Sequence, residues 1–339
     1  MNINQLIKSL QVCVNSQIVP FIQGSPGIGK SDAVREIANK GKLELIDIRL
    51  SQCDPADLNG LPKLSGKRAE YLPFDIFPLE DDEVPEGKKG WLVFLDEINS
   101  ASKSIQAAAY KLILDRMVGN HKLHDKVYVI CAGNKDSDNA ITNQISTALR
   151  SRFVTLPLEP DVDDWLKWAY DAGIDWRIQS FIRYQGLGGL YDFNPDKIDS
   201  AYACPRSWHM LSKLLVHIPS DQQNDYIELI RGTIGNQANM FNSFCGVVKD
   251  LPSIDEILSG KANKFGSNPG EKYLFSGFVI NNAKLIDDET KAFNAVEYLD
   301  NIGKEYSMPF YALIKDNPGL LKYKAIKDKL KEVCKWLSN

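Results

Sequence analysis

The sequence predicts an α/β fold, in which a parallel β-sheet lies between helices, followed by a second half that is helical. Short apolar runs alternate with amphipathic segments up to about residue 158, which is typical of parallel strands connected by helices. One of these runs, GWLVFLDEI (90–98), is so uniformly apolar that it predicts a strand buried on both faces. Beyond Pro160 the apolar residues recur at helical spacing, which ends the α/β pattern.

Five strands are predicted in the first part of the chain, at residues 17–23, 43–51, 90–98, 126–134 and 152–160. A helix after the first strand is expected to end at Gly41, because glycine readily adopts the conformation that closes a helix. Another helix is predicted in SKSIQAAAYKLILDRMVG (102–119), between a capping serine and a closing glycine. We therefore predict three domains: an α/β domain at 1–158, a helical domain at 159–250 and a helical C-terminal extension at 251–339.

The composition narrows the class of protein. The chain has 339 residues and a net charge of −4, which argues against a surface built to neutralise nucleic-acid phosphates throughout. No apolar stretch is long enough to predict a membrane-spanning helix, and the N-terminus lacks the apolar core of a signal peptide. The six cysteines form no C-x-x-C pair, which is typical of reduced thiols, and we expect a cytoplasmic protein.

A glycine-rich segment between the first strand and the first helix of the α/β domain matches the pattern G-x-x-x-x-G-K-[ST]. Glycines allow backbone N–H groups to turn towards an anion, and the helix N-terminus adds a partial positive charge. A structural turn would not need a lysine followed by a serine. We interpret the segment as a loop that binds the phosphates of a nucleotide, formed by Gly24, Ser25, Pro26, Gly27, Ile28, Gly29, Lys30 and Ser31.

Within this loop, Lys30 is expected to contact the β- and γ-phosphates, and Ser31 to bind Mg²⁺. Two carboxylates, Asp96 and Glu97, follow the apolar strand in WLVFLDEIN (91–99). Asp96 is expected to hold the water shell of Mg²⁺, and Glu97 to act as the general base that polarises the attacking water. The alternative is that both acids only end a strand. A hydrolase needs the second carboxylate, whereas a small-molecule kinase does not.

Three further polar residues fit a nucleotide site less specifically. Asn134 follows the apolar fourth strand and is placed to reach the γ-phosphate or its attacking water, although an asparagine after glycine is most often a turn residue. Arg150 and Arg152 precede the last strand. They are either surface charges or arginine fingers that reach a nucleotide in a neighbouring subunit, where such a residue raises the rate by ~10³ or more.

Together these motifs resemble the AAA+ ATPases, and within them the MoxR-like, dynein-related branch. The resemblance covers roughly residues 1–250, in GSPGIGKS, DPADLNGLP, LVFLDEINSASKSIQAAAYKLILDR, VYVICAGN, ALRSRF, LEPDVDDWLKWA and CPRSWHML. It implies a P-loop AAA+ sheet followed by a helical lid. It also implies Walker A roles for Lys30 and Ser31, and Walker B roles for Asp96 and Glu97.

The same resemblance implies further roles and partners. Asn134 takes the place of sensor 1, Arg152 that of the finger with Arg150 in reserve, and Arg206 that of sensor 2 at the start of a lid helix. Residues 117–126 lie where the family often inserts a β-hairpin. ATP and Mg²⁺ are implied as ligands, and a hexameric ring of identical chains as the assembly. The implied function is a chaperone-like ATPase that remodels a protein partner, one with a von Willebrand factor A domain.

The region after the second strand, SQCDPADLNGLPKLSGKRAEYL (51–72), departs from the better-known unfoldases. It lacks the aromatic–apolar–glycine motif with which they grip threaded polypeptide, and local remodelling is therefore expected. Asp54-Pro55, followed by Asp57, predicts a helix N-terminus. Lys63, Lys67 and Arg68 are expected to be exposed charges.

Two other functions stay open. A nucleic-acid motor or nuclease partner is suggested by the lysine-rich last thirty residues, although a solvated surface helix is the simpler interpretation. The overall acidity and the lack of interleaved aromatic and basic residues disfavour nucleic acid. A switch that binds ATP and scarcely hydrolyses it is disfavoured by the pair Asp96-Glu97.

Overall fold

The computed structural model describes residues 1–138, 143, 145, 147–196, 201–219, 222–314 and 319–337. Two compact units divide the chain. The first consists of Met1–Asp161 with a short stretch that begins at Asn194, and the second of Val162–Phe193 with the rest of the chain.

The first unit contains nine strands, which are β1 Pro20–Gln23, β2 Leu43–Arg49, β3 Leu61–Ser65, β4 Arg68–Leu72, β5 Gly90–Asp96, β6 Met117–Val118, β7 His121–Lys122, β8 Val127–Gly133 and β9 Val154–Pro157 among the described residues. Five of them form one sheet in the order β2-β5-β8-β1-β9, and every pairing in it is parallel. The predicted α/β fold with a parallel sheet is therefore confirmed. All five predicted strands of the sheet are present. Each is shorter than predicted, and β1 and β9 have only four residues each.

Helices cover this sheet because both of its faces are apolar. The helices of the first unit are α1 Ile3–Asn15, α2 Lys30–Gly41, α3 Pro55–Asn59, α4 Lys103–Leu114 and α5 Thr147–Arg150. Val93 and Leu95 of β5 belong to an apolar cluster with Leu112 of α4. The intervening Leu92 and Phe94 point to the opposite face and are also fully buried. A strand buried on both faces explains the uniformly apolar sequence of β5.

Two short hairpins leave the sheet. The β6–β7 hairpin lies within residues 117–126, where the resemblance predicted one. Because it takes up this segment, α4 ends at Leu114, and the predicted helix end at Gly119 is wrong. The β3–β4 hairpin was not predicted, and all of its strand residues are exposed, including Lys63 and Arg68. The predicted helix start at Asp54 is confirmed, since Asp54 and Asp57 form a capping box around α3.

The second unit is helical over its described residues. Its helices are α6 Val162–Asp171, α7 Trp176–Gln185, α8 Leu187–Leu190, α9 Pro205–Leu215, α10 Ile227–Ile234, α11 Gln237–Cys245, α12 Ile254–Leu258, α13 Pro269–Asn281, α14 Glu289–Ile302, α15 Lys304–Ile314 and α16 Lys324–Leu337. None of the described helices of the chain combines the length and apolarity that a membrane crossing needs.

One apolar core runs through this second unit. It joins Phe181 and Trp208, from the predicted domain 159–250, to Leu274 and Phe310, from the predicted extension 251–339. Helices α7 and α13 approach so closely that a Cβ atom on Gly277 would lie 1.9 Å from the hydroxyl oxygen of Ser180. Residues on both sides of position 250 thus share their packing, while the domain bounds themselves stay predictions.

Candidate active site

The glycine-rich loop connects β1 to α2 at the carboxyl edge of the sheet. Gly27 and Gly29 have φ angles of 77° and 99°, in the region that favours glycine. Gly29 precedes α2 and has no side chain with which to cap the helix. Backbone N–H groups at a helix N-terminus are a general site for phosphate.

The ammonium group of Lys30 joins this loop to the neighbouring strand. It donates hydrogen bonds to the carbonyl oxygens of Gly24 and Ser25, the latter at 3.0 Å. It also donates to Oδ1 of Asn134 at 3.0 Å. Asn134 directly follows β8, which pairs with β1. The sheet therefore brings the predicted phosphate ligand and the predicted sensor into contact.

Ser31 and Asp96 form a second link across the site. The hydroxyl group of Ser31 donates to Oδ2 of Asp96 over 3.3 Å. Burial raises the pKa of Asp96 above its ordinary value, although the Glu97 amide and the charge of Lys30 act in the opposite direction. A hydroxyl and a carboxylate oxygen are ligands that would suit a magnesium ion, which prefers hard oxygen donors.

Glu97 lies where the chain turns away from the end of β5. Its φ angle is +57°, a conformation that costs a residue other than glycine of the order of 1–3 kcal/mol. The carboxylate accepts a hydrogen bond from the hydroxyl group of Ser51, which follows β2, the strand paired with β5. Sequence reasoning missed Ser51. Its only signal was its place at the end of the predicted second strand.

Sequence reasoning also missed the side chains of Asp138 and Asn99, which form hydrogen bonds with residues of the candidate site. Ser25 is buried, and its hydroxyl group donates to Oδ1 of Asp138 at 3.0 Å, which fixes the loop to the turn after β8. The carboxamide of Asn99 pairs with the backbone of Asn134 through two hydrogen bonds. Asp138 lies in no motif, and Asn99 ends the WLVFLDEIN segment without having been assigned a role. Only the folded chain shows which residues they contact.

The three predicted arginines are exposed, and Arg206 belongs to the second unit. Arg150 ends α5 and is exposed, with Nη2 at 3.2 Å from Oδ2 of Asp136. Arg152 is also exposed, and its guanidinium carbon lies 5.6 Å from the ring centre of Tyr110. Arg206 is exposed in the first turn of α9, at the predicted helix start. Their roles as finger and sensor stay predictions.

One family model matches the part of the chain that contains the candidate site. Residues 20–153 match the family model described as the AAA domain (dynein-related subfamily). This stretch begins at β1 and contains the glycine-rich loop, both acids, Asn134 and the two candidate finger arginines. No curated protein matches the chain.

Solved structures resemble the chain only distantly. A mutant of RuvB from Thermotoga maritima is 16% identical, with a TM-score of 0.43, over 85% of this chain and 77% of that one. NtrX from Brucella abortus is 14% identical, with a TM-score of 0.40, over 97% of this chain and 67% of that one. With TM-scores below 0.5, these likenesses carry no inference about activity.

We expect Asp96→Asn to stabilise the nucleotide-free protein at neutral pH. Burial opposes the ionised carboxylate in the folded state, so the raised pKa of Asp96 costs folding free energy wherever that group is charged. An asparagine avoids this cost and keeps an acceptor for the Glu97 amide and a donor for Ser31. The gain in melting temperature should shrink as the pH falls towards about 4, where aspartate is protonated in the unfolded chain too.

Thermal melts of both proteins between neutral and acidic pH measure this difference. The exposed Asp75 offers a matched control, since Asp75→Asn removes the same charge from the surface. An Asp96→Asn protein that melts below wild type at neutral pH would show that the carboxylate is stabilising there.

Proposed function

We propose that the chain is an ATPase that binds ATP with Mg²⁺ at residues 24–31 and cleaves the γ-phosphate with water. One observation carries this proposal: the ends of three adjacent strands, β5, β8 and β1, bring Lys30, Ser31, Asp96, Glu97 and Asn134 together. The match of residues 20–153 to an AAA domain supports it.

The loop and its lysine bind the triphosphate. Backbone N–H groups of residues 24–31 and the N-terminus of α2 accommodate its negative charge. Lys30 exchanges its contacts with Gly24, Ser25 and Asn134 for phosphate oxygens, and the carboxamide of Asn134 is thereby released towards the γ-phosphate. Ser31 and Asp96 would hold Mg²⁺, and the ion would supply positive charge that neutralises the phosphate oxygens.

Glu97 acts on the water. Its carboxylate takes a proton from the attacking water, whose oxygen bonds to the γ-phosphorus while the bond to the β–γ bridging oxygen breaks. The products are ADP and inorganic phosphate. The left-handed backbone at Glu97 and the hydrogen bond from Ser51 fix the direction from which this carboxylate approaches.

Two substitutions separate binding from hydrolysis. Lys30→Ala should abolish ATP binding, because it removes the ammonium group inside the loop. Glu97→Gln should retain ATP binding and lower kcat by ~10²–10⁴, the usual contribution of a general base. Titration with a fluorescent ATP analogue and assays of phosphate release measure the two effects. Glu86→Gln, on the exposed surface, is the matched control, and wild-type turnover in Glu97→Gln would refute the assignment of the base.

We further propose that the active form is a ring of identical chains, a hexamer by the resemblance, in which Arg152 completes the site of a neighbour. ATPase activity per subunit should then rise with protein concentration. Arg152→Ala should lower turnover by ~10³ while ATP binding persists, since the arginine acts on charge that develops in the transition state. Arg150→Ala is the matched comparison, and activity that is independent of concentration would exclude the ring.

The work done with this energy is proposed to be MoxR-like, chaperone-type remodelling of a protein partner that carries a von Willebrand factor A domain. Only the sequence resemblance supports this choice of partner. The Glu97→Gln protein, held in ATP, should retain its partner in affinity capture, with Lys30→Ala as the control that cannot bind ATP. Recovery of a nuclease or of nucleic acid would instead favour the motor class.

A further inference from the structure

A buried asparagine next to the two acids pairs with the backbone of Asn134. Only 2% of the surface of Asn99 is accessible to solvent. Its Nδ2 donates to the carbonyl oxygen of Asn134 at 2.7 Å, and its Oδ1 accepts from the Asn134 amide at 3.1 Å. Both hydrogen bonds are within the normal range for N–H···O contacts.

This pairing continues the sheet beyond the ends of its strands. Strands β5 and β8 are paired up to Leu95 and Cys131. After the turn at Glu97, the amide of Ile98 donates to the carbonyl oxygen of Ala132 at 3.0 Å. The carboxamide of Asn99 then forms the next pair of hydrogen bonds along the chain after β8. It can do so because it offers a carbonyl oxygen and N–H donors, as a peptide group does.

The fit depends on the residue before Asn134. A Cβ atom on Gly133 would lie 2.3 Å from Oδ1 of Asn99, closer than real Cβ contacts allow. Glycine at position 133 therefore leaves the space that the carboxamide occupies. The contact therefore requires both residues: Asn99 supplies the carboxamide and Gly133 leaves room for it. An incidental hydrogen bond would not depend on a second residue in this way.

From this geometry we propose that Asn99 is a positioning residue for hydrolysis, which holds Asn134 at a fixed distance from Glu97. The proposal rests on the proposed ATPase function. Asn99 fixes both backbone groups of Asn134, whose side chain meets Lys30 in the phosphate loop. It follows Glu97 by two residues, so the predicted base and the predicted sensor are tied to one another through a short, buried path. Asn99 itself does not touch the reacting atoms; it acts through Asn134.

A double-mutant cycle tests this role. Asn99→Ala should lower kcat by about 10- to 100-fold, the scale expected when a reacting group is displaced, while the Kd for ATP stays nearly unchanged. Asn134→Ala should lower kcat as well. If Asn99 acts through Asn134, the double variant is no slower than Asn134→Ala alone. The proposal would be overturned if the double variant lost kcat by the product of the two single effects. It would also be overturned if Asn99→Ala had the wild-type kcat.

Gln106→Ala provides the matched control for a structural effect. Gln106 is a buried amide in the same region, and it donates to the carbonyl oxygens of Ala101 and Asn143. Its loss should destabilise the protein without changing the effect of Asn134→Ala on kcat. Coupling between Gln106→Ala and Asn134→Ala as strong as that of Asn99→Ala would mean that Asn99 has no special role.

Hydrogen exchange at the Asn134 amide gives a readout that does not need ATPase activity. Asn99→Ala removes the acceptor of this amide, and its exchange should become at least about tenfold faster, whereas Gln106→Ala should leave the local protection in place. Unchanged exchange in Asn99→Ala would overturn the pairing itself. A wild-type protein without ATPase activity would instead refute the proposed function, with the exchange result still deciding whether Asn99 holds Asn134.

Discussion

The parallel direction of the strands is the constraint on which the site depends. In a parallel sheet all carboxyl ends meet at one edge, and ligands of open α/β sheets bind outside that edge. The order β5-β8-β1 places the ends of these three strands side by side. Residues far apart in the chain, such as Lys30 and Asn134, can then come within hydrogen-bond distance. An antiparallel arrangement would send every second strand end to the opposite edge.

The polar and charged groups at this edge are hydrogen-bonded to other protein atoms. Lys30 contacts carbonyl oxygens and Asn134, Ser31 contacts Asp96, and Ser51 contacts Glu97. Such pairing limits the cost of burying polar groups at the end of an apolar sheet.

Around these groups lies a layer of supporting contacts that determines the precision of the site. Asp138 holds the hydroxyl group of Ser25, and Asn99 holds the backbone of Asn134. These residues are buried, so their hydrogen bonds are shielded from competing water. The second unit is held together by the packing of its helices instead, as the close approach of Gly277 to Ser180 illustrates. Its apolar core extends across position 250.

The sequence alone determined the sheet, the position of the glycine-rich loop and that of the two acids after β5, because apolar periodicity and the order of glycine, lysine and serine are local properties. The sequence also predicted the start of α3, and its resemblance to a known family predicted the β6–β7 hairpin. The predicted end of α4 was five residues too late, because an apolar segment does not reveal where a helix gives way to a turn. Only the tertiary structure revealed Ser51, Asn99 and Asp138. Their hydrogen bonds join residues on separate strands and turns, and such partners share no spacing in the chain. Strand order, which no local pattern encodes, decides which of them meet.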